Sequence, residues 1–234
     1  MRNWRGFCIA ISLGLTMFFS GCAGAQVADT DTPQVIVNAN LDVSQSDIER
    51  VKTETEHAVN SICPILGIKK QTITVTITEK GICHTSRGIV YLPIWHIKNK
   101  KAAIVHEVTH VVARHSENRF FSEGLAIYFQ ERFGEDHGFP NFSGVPLDDL
   151  VRSNRSRVYG IYMLSNNNDI FTQVGTEQRE IAYIQAGSFT NFLVATYGEK
   201  KLVELHNSWT LDYRKIYGKD IKELEVEWKG AVLR

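Results

Sequence analysis

The chain has 234 residues, 43% of them hydrophobic and 22% charged, and its 26 basic and 26 acidic side chains leave no formal net charge. That is the composition of one ordinary globular domain. The lack of a basic excess argues against a nucleic-acid partner.

Arg2 and Arg5 precede an uncharged apolar run over residues 6–19, and small residues follow to Ala25. This is the layout of a secretory signal. Phe19-Ser20-Gly21-Cys22 resembles a bacterial lipobox, which would make Cys22 a lipidated N-terminus, although Phe19 stands where leucine is usual. Ala23-Gly24-Ala25 fits ordinary signal-peptidase cleavage instead, and the stretch 6–25 is also just long enough for an uncleaved anchor. The expected organisation is a signal peptide over 1–25, a polar tether over 26–33 and one domain over 34–234. The expected location is across the inner membrane, in the periplasm or as a membrane-anchored lipoprotein, with membrane contact only through an anchor at Cys22. Loss of residues 1–25 removes two arginines and no acid, which leaves a charge of −2.

In chain order, residues 34–38 read as a strand. Ser46-Asp47-Ile48-Glu49 is a capping-box pattern, and the helix after it is expected to end near Cys63, before Pro64 and Gly67. Residues 72–78 alternate, with Ile73, Val75 and Ile77 on one face, as in a half-buried strand. Residues 88–92 form another short strand, stopped by Pro93. A helical pattern runs from about His96 to Arg114 and His115, and a second covers 122–132. Residues 133–180 are rich in loop formers, with a short helix over 147–153. Helices resume over 180–196, 199–207 and 219–232. Strands early and helices late make an α+β fold, with a small N-terminal mixed sheet and a mostly helical C-terminal lobe.

Four cysteines are present, with Cys8 and Cys22 in or beside the signal. An oxidising compartment permits a Cys63–Cys83 disulfide, while two small buried thiols are the other reading. Without a CxxC pair they do not read as a zinc site.

The chemistry centres on residues 106–110. His106 and His110, one turn apart, present two imidazoles on one helix face. Glu107 points about 100° away, beside a bound ion but not on it. This is the H-E-x-x-H zinc pattern. The bare motif arises by chance in roughly one chain in a hundred, so a third ligand decides its weight. Ala113 and Ser116 stand where a second, histidine-based pattern needs glycine and histidine, and His115 falls one residue short, so His115 reads as a helix-end residue.

The next helix carries Ser122-Glu123-Gly124-Leu125-Ala126-Ile127-Tyr128. Together with the histidine motif, this resembles the gluzincin metallopeptidases, in the compact peptidase-MA-like form. Residues 182–198 and Tyr217–Trp228 resemble later segments of the same family, so the similarity spans about 70–232. It implies a zincin-like fold and a Zn2+ ion held by His106, His110 and Glu123. It also implies Glu107 as general base toward a zinc-activated water. Tyr183 is the candidate donor to a developing oxyanion, and reads equally as a core tyrosine. Ile127 stands where thermolysin-like members carry an acid that orients a zinc histidine. In gluzincins the strand before the zinc helix is a sheet edge that binds peptide, so Arg87 and Tyr91 would border the cleft; an ordinary buried strand is the alternative. The loop 133–180 would shape the pocket.

Two functions follow. The first is a zinc-dependent peptide-bond hydrolase of the bacterial cell envelope, endopeptidase-type, with a peptide or protein substrate. The second is a zinc-stabilised envelope lipoprotein without catalysis, acting as a binding or assembly module.

Overall fold

The structure is a computed structural model that describes residues 33–39, 42–114, 117–208 and 210–234. The expected signal peptide, nearly all of the tether, and His115 lie outside the described residues. Among those described, no helix is long and apolar enough to cross a membrane.

The fold is α+β. Strand β1 (Val35–Ala39) leads into helix α1 (Gln45–Leu66), then β2 (Ile73–Thr78), β3 (His84–Ser86) and β4 (Ile89–Pro93). The sheet order is β1-β2-β4-β3, with β1, β2 and β4 parallel and β3 antiparallel to β4. The alternation in β2 holds as expected: Ile73, Val75 and Ile77 are buried and the threonines between them are half-buried. Short β3 escapes the sequence reading because three residues are too few to show a period.

Helix α1 departs from expectation at both ends. Ser44, rather than Ser46, caps it, its hydroxyl accepting from the Asp47 N–H at 3.1 Å. The helix also passes through Pro64 to Leu66, and Gly67 closes it in the left-handed conformation at φ 66°. Proline removes one helical hydrogen bond, but burial of Ile62, Cys63 and Leu66 carries the last turn across it.

The expected long helix from His96 is two helices, α2 (Ile94–Lys98) and α3 (Ile104–Ala113). Lys100, at φ 53°, breaks the run between them. Helix α4 (Arg119–Phe133) follows, capped by Asn118. Within 133–180 the expected short helix appears as α5 (Leu147–Ser153), joined by α6 (Ile161–Ser165). The last helices are α7 (Glu177–Tyr197), α8 (Glu199–His206), α9 (Tyr213–Tyr217) and α10 (Ile221–Val232).

Helices α4 and α7 form the centre of the C-terminal half. Every residue from Phe120 to Gln130 is buried, and so is every residue from Ile181 to Thr190. Gly124 lets the two backbones meet. A methyl group there would fall 2.5 Å from Thr190 Oγ1 and 2.7 Å from the Ala186 carbonyl oxygen. Gly124→Ala is therefore expected to cost about 1–3 kcal/mol of stability through overpacking. Denaturant melts check it, and an unchanged midpoint would contradict the close approach.

Helix α1 also buries an acid, Glu54, at 2% exposure. Its Oε1 accepts from the Glu135 N–H at 3.2 Å, and Oε2 has no hydrogen-bond partner among the described residues. Arg50 donates to Asp136 Oδ2 at 2.9 Å and to the Ile97 carbonyl at 2.6 Å, and stays 3.9 Å from Glu54. Burial, followed by the nearby Asp136 carboxylate, pushes the Glu54 carboxyl from 4.5 up to about 7. Between those values the folded chain keeps a proton that the unfolded chain has lost. Stability therefore falls as pH rises through that window. Glu54→Gln should remove this slope and raise stability at pH 8 by about 1–3 kcal/mol. Urea melts at pH 5 and pH 8 measure it; identical slopes in the two proteins would refute it.

Candidate metal centre

Helix α3 starts without a side-chain cap of its own. Helix ends carry unsatisfied N–H groups, and here one is met from a distance: the His106 N–H donates to Gln130 Oε1 of α4 at 2.9 Å. Gln130 in turn donates to the Asp136 carbonyl at 2.8 Å. This fixes the start of α3 against α4, the helix that carries Glu123. Arg114 ends α3 in the left-handed conformation at φ 55°.

The two helices bring three atoms together. His106 Nε2 and His110 Nε2 are 3.1 Å apart. Glu123 Oε2 lies 3.2 Å from the first and 3.1 Å from the second. Tetrahedral zinc, with bonds of 2.0–2.1 Å, separates its ligand atoms by roughly 3.3 Å. Two imidazole nitrogens and a carboxylate oxygen at these distances can hold one such ion. Burial alone would raise the Glu123 carboxyl, but the facing imidazoles hold it well below the usual carboxylate range. Burial alone would lower His110, and the Glu123 carboxylate raises it instead.

The surrounding contacts hold the cluster unevenly. His110 Nδ1 lies 3.1 Å from the Ser122 hydroxyl. His106 Nδ1 is buried with no hydrogen-bond partner among the described residues. Ile127 belongs to the core, with its methyl group 2.5 Å from where a Cβ on Gly187 would stand, so it supplies no polar contact.

Glu107 is 5% exposed and lines the cleft beside the three. The Thr85 hydroxyl of β3 lies 2.9 Å from Glu107 Oε2 and 3.0 Å from its backbone carbonyl. Its one proton bonds one of these at a time. The first bond pins the carboxylate to the sheet, and the second ties the backbone of α3 to it.

Tyr183, on α7, does reach the site. Its ring lies nearly parallel to that of His106, centroids 6.4 Å apart. Arg179 Nη2 donates to its hydroxyl at 3.0 Å. Burial, then the Glu123 carboxylate, raises this phenol, so it stays protonated and able to donate.

These groups line one cavity of about 480 Å³. Ile82 to Thr85 form one wall, and Phe139, Phe142, Phe171 and Val174 come from the loop 133–180, as expected of that loop. The expected peptide edge is corrected. Strand β4 is paired on both sides, by β2 and β3, so it offers no free edge. Arg87 and Tyr91 are not among the cleft residues, and Tyr91 stacks on His84 instead, centroids 4.7 Å apart. The outer strand on that side is β3. Cys63 and Cys83 are both free thiols, so the disulfide does not form here. Cys63 is buried in the core, and Cys83 lines the cleft, where burial pushes its thiol up to about 12.

Thr85, Ser122, Gln130 and Arg179 escaped the sequence reading. Two had a local signal, Ser122 beside Glu123 and Arg179 one turn before Tyr183 on α7; Thr85 and Gln130 act across long loops. No protein-family model matches the chain, and no curated protein or solved structure shows significant similarity to it.

Proposed function

We propose that the protein is a zinc-dependent peptide-bond hydrolase. One observation carries this: the His106, His110 and Glu123 donor atoms converge within 3.2 Å of one another in a cleft that also holds Glu107 and Tyr183. Zinc bound there would supply Lewis-acid polarisation of the scissile carbonyl and a water acidified to near neutrality.

The remaining steps belong to the chain. Glu107, held by Thr85, takes the proton of the attacking water and later passes it to the leaving amine. Tyr183, kept protonated and steered by Arg179, donates to the oxygen that gains charge. The outer edge of β3 offers backbone groups to an extended peptide. The aromatic side chains of the 133–180 loop keep the cleft dry, which strengthens each of these contacts.

The test is direct. Purified protein, stripped by a chelator and reloaded with zinc, is incubated with a mixed peptide pool, and cleavage is followed by mass spectrometry. Cleavage that returns only with zinc supports the reading, and a reloaded protein that cuts nothing counts against it. A second reading, a zinc-stabilised binding module of the envelope, is favoured by one observation, the unpartnered Nδ1 of His106. Catalytic zinc histidines usually donate that N–H to a carboxylate or carbonyl.

A further inference from the structure

Cations outnumber free acids around this cleft. Lys101, Arg114, Arg119 and Arg179 line it, and among the described residues its only acids are Glu107 and Glu123. Both acids are engaged, Glu107 by Thr85 and Glu123 by the two imidazoles. Three of the cations already have uses at the rim. Lys101 packs over the Trp95 and Phe142 rings at 5.5 and 5.7 Å, Arg114 donates to Gln71, and Arg119 stands 4.0 Å from Glu123 Oε1.

Arg179 differs. It is half-buried, and its guanidinium carbon lies 4.5 Å from the centroids of both the Phe139 and Tyr183 rings. Its Nε donates to the Phe171 carbonyl and its Nη2 to the Tyr183 hydroxyl, both at 3.0 Å. Both acceptors are neutral. No carboxylate pairs with it among the described residues, and Nη1 takes part in neither bond. A guanidinium packed against two rings, with part of its fork unused, is a ready receptor for a carboxylate. Removing such a charge from water without a counter-ion is costly, and a bound anion would offset that cost. Tyr183 links this guanidinium to His106, its ring centroid 6.4 Å from that of His106 and its hydroxyl 3.0 Å from Arg179 Nη2. An anion on Arg179 therefore lies in the same cleft as the three donor atoms, on the Tyr183 side of His106.

We infer that the cleft selects peptides bearing a carboxylate next to the scissile bond, received by Arg179. The inference rests on the peptidase reading for what is cut, but not for what is bound. The carboxylate has two sources, an Asp or Glu side chain or the peptide's own C-terminus.

Binding separates them. Glu107→Gln protein, loaded with zinc so that it holds but does not cut, is immobilised and exposed to three random hexapeptide pools. The first carries Asp and Glu with amidated ends. The second carries Asn and Gln in their place with free C-termini. The third has neither carboxylate. The first or second pool should be retained about 10-fold or more over the third, and which one names the source. Equal retention of all three, or of none, overturns the inference. The preference should vanish in Arg179→Met. If the preference persists in folded Arg179→Met, the assignment to Arg179 is wrong; should that variant not fold, the three-pool comparison still decides. A wild-type protein that cuts no peptide while the preference holds would sink the peptidase reading alone. Cleavage of acidic and neutral peptides alike, without preference, would sink this one alone.

Discussion

Glu107→Gln is expected to reduce peptide hydrolysis by about 10²–10⁴-fold while leaving fold and metal content unchanged. The substitution is nearly isosteric. The amide oxygen can still accept from the Thr85 hydroxyl, which lies 2.9 Å from Oε2 in the native chain. The three donor atoms, on His106, His110 and Glu123, are untouched. What disappears is a base able to take a proton from water. A drop in kcat with zinc stoichiometry of one and an unaltered melting curve is the outcome that matches this role. Full turnover by Glu107→Gln would end the general-base mechanism. If the wild type and the variant are both inert and both bind zinc, the binding-module reading takes over.

How far the sequence carried follows from the range of the interactions. His106, Glu107 and His110 were legible because helix geometry ties residues three and four apart to one face, whatever the rest of the chain does. Glu123 was legible only through a resemblance, since no local rule says that a residue 13 positions further on turns toward the same point. The structure brings it within 3.2 Å of both imidazoles. Gly124, part of that same pattern, has a separate reason: it admits α7 against α4. The regular strand and helix cores were legible from period, as in β2. Their ends were not. Helix α1 is capped two residues before the expected position, by Ser44, and it outlasts its proline because burial of Ile62, Cys63 and Leu66 outweighs the local signal there.

The edge strand shows the same limit more sharply. Residues 88–92 read as a strand, and β4 lies there one residue later, at Ile89–Pro93, but its place in the sheet depends on β3, a three-residue strand with no pattern to announce it. Pairing with β3 covers the edge of β4 and presents Thr85 to Glu107. The polar contacts around the site follow this rule as well. Gln130 reaches His106 across 24 residues and Thr85 reaches Glu107 across 22. Neither pairing leaves a trace in spacing, because the turns between them, not a helical or strand period, set the geometry.

The second large effect expected is thermal. Apo and zinc-loaded protein should differ in melting temperature, and the difference should depend on Glu123. A ligand that binds only the folded state stabilises it by about 4 kcal/mol at 1,000 times its dissociation constant. For a chain of this size, each kcal/mol moves the midpoint by about 2–4 °C, so zinc in that excess should raise it by about 8–16 °C. Glu123→Gln keeps the shape of the side chain but takes away its charge, and His106→Ala takes away one nitrogen. Each should abolish most of the shift. The comparison also separates the metal from a simpler arrangement, in which a protonated His110 pairs directly with Glu123 at 3.1 Å. In that arrangement Glu123→Gln would destabilise the apo protein by breaking a buried ion pair, and added zinc would change neither protein. If Glu123 is instead a ligand first, its carboxylate confronts two imidazoles across 3.1–3.2 Å in readiness for a cation. The loss would then appear chiefly in the zinc-loaded melts. Calorimetric scans of the four samples, wild type and Glu123→Gln with and without zinc, decide between the two. A zinc-independent melting temperature in the wild type would remove the metal, and with it the hydrolase.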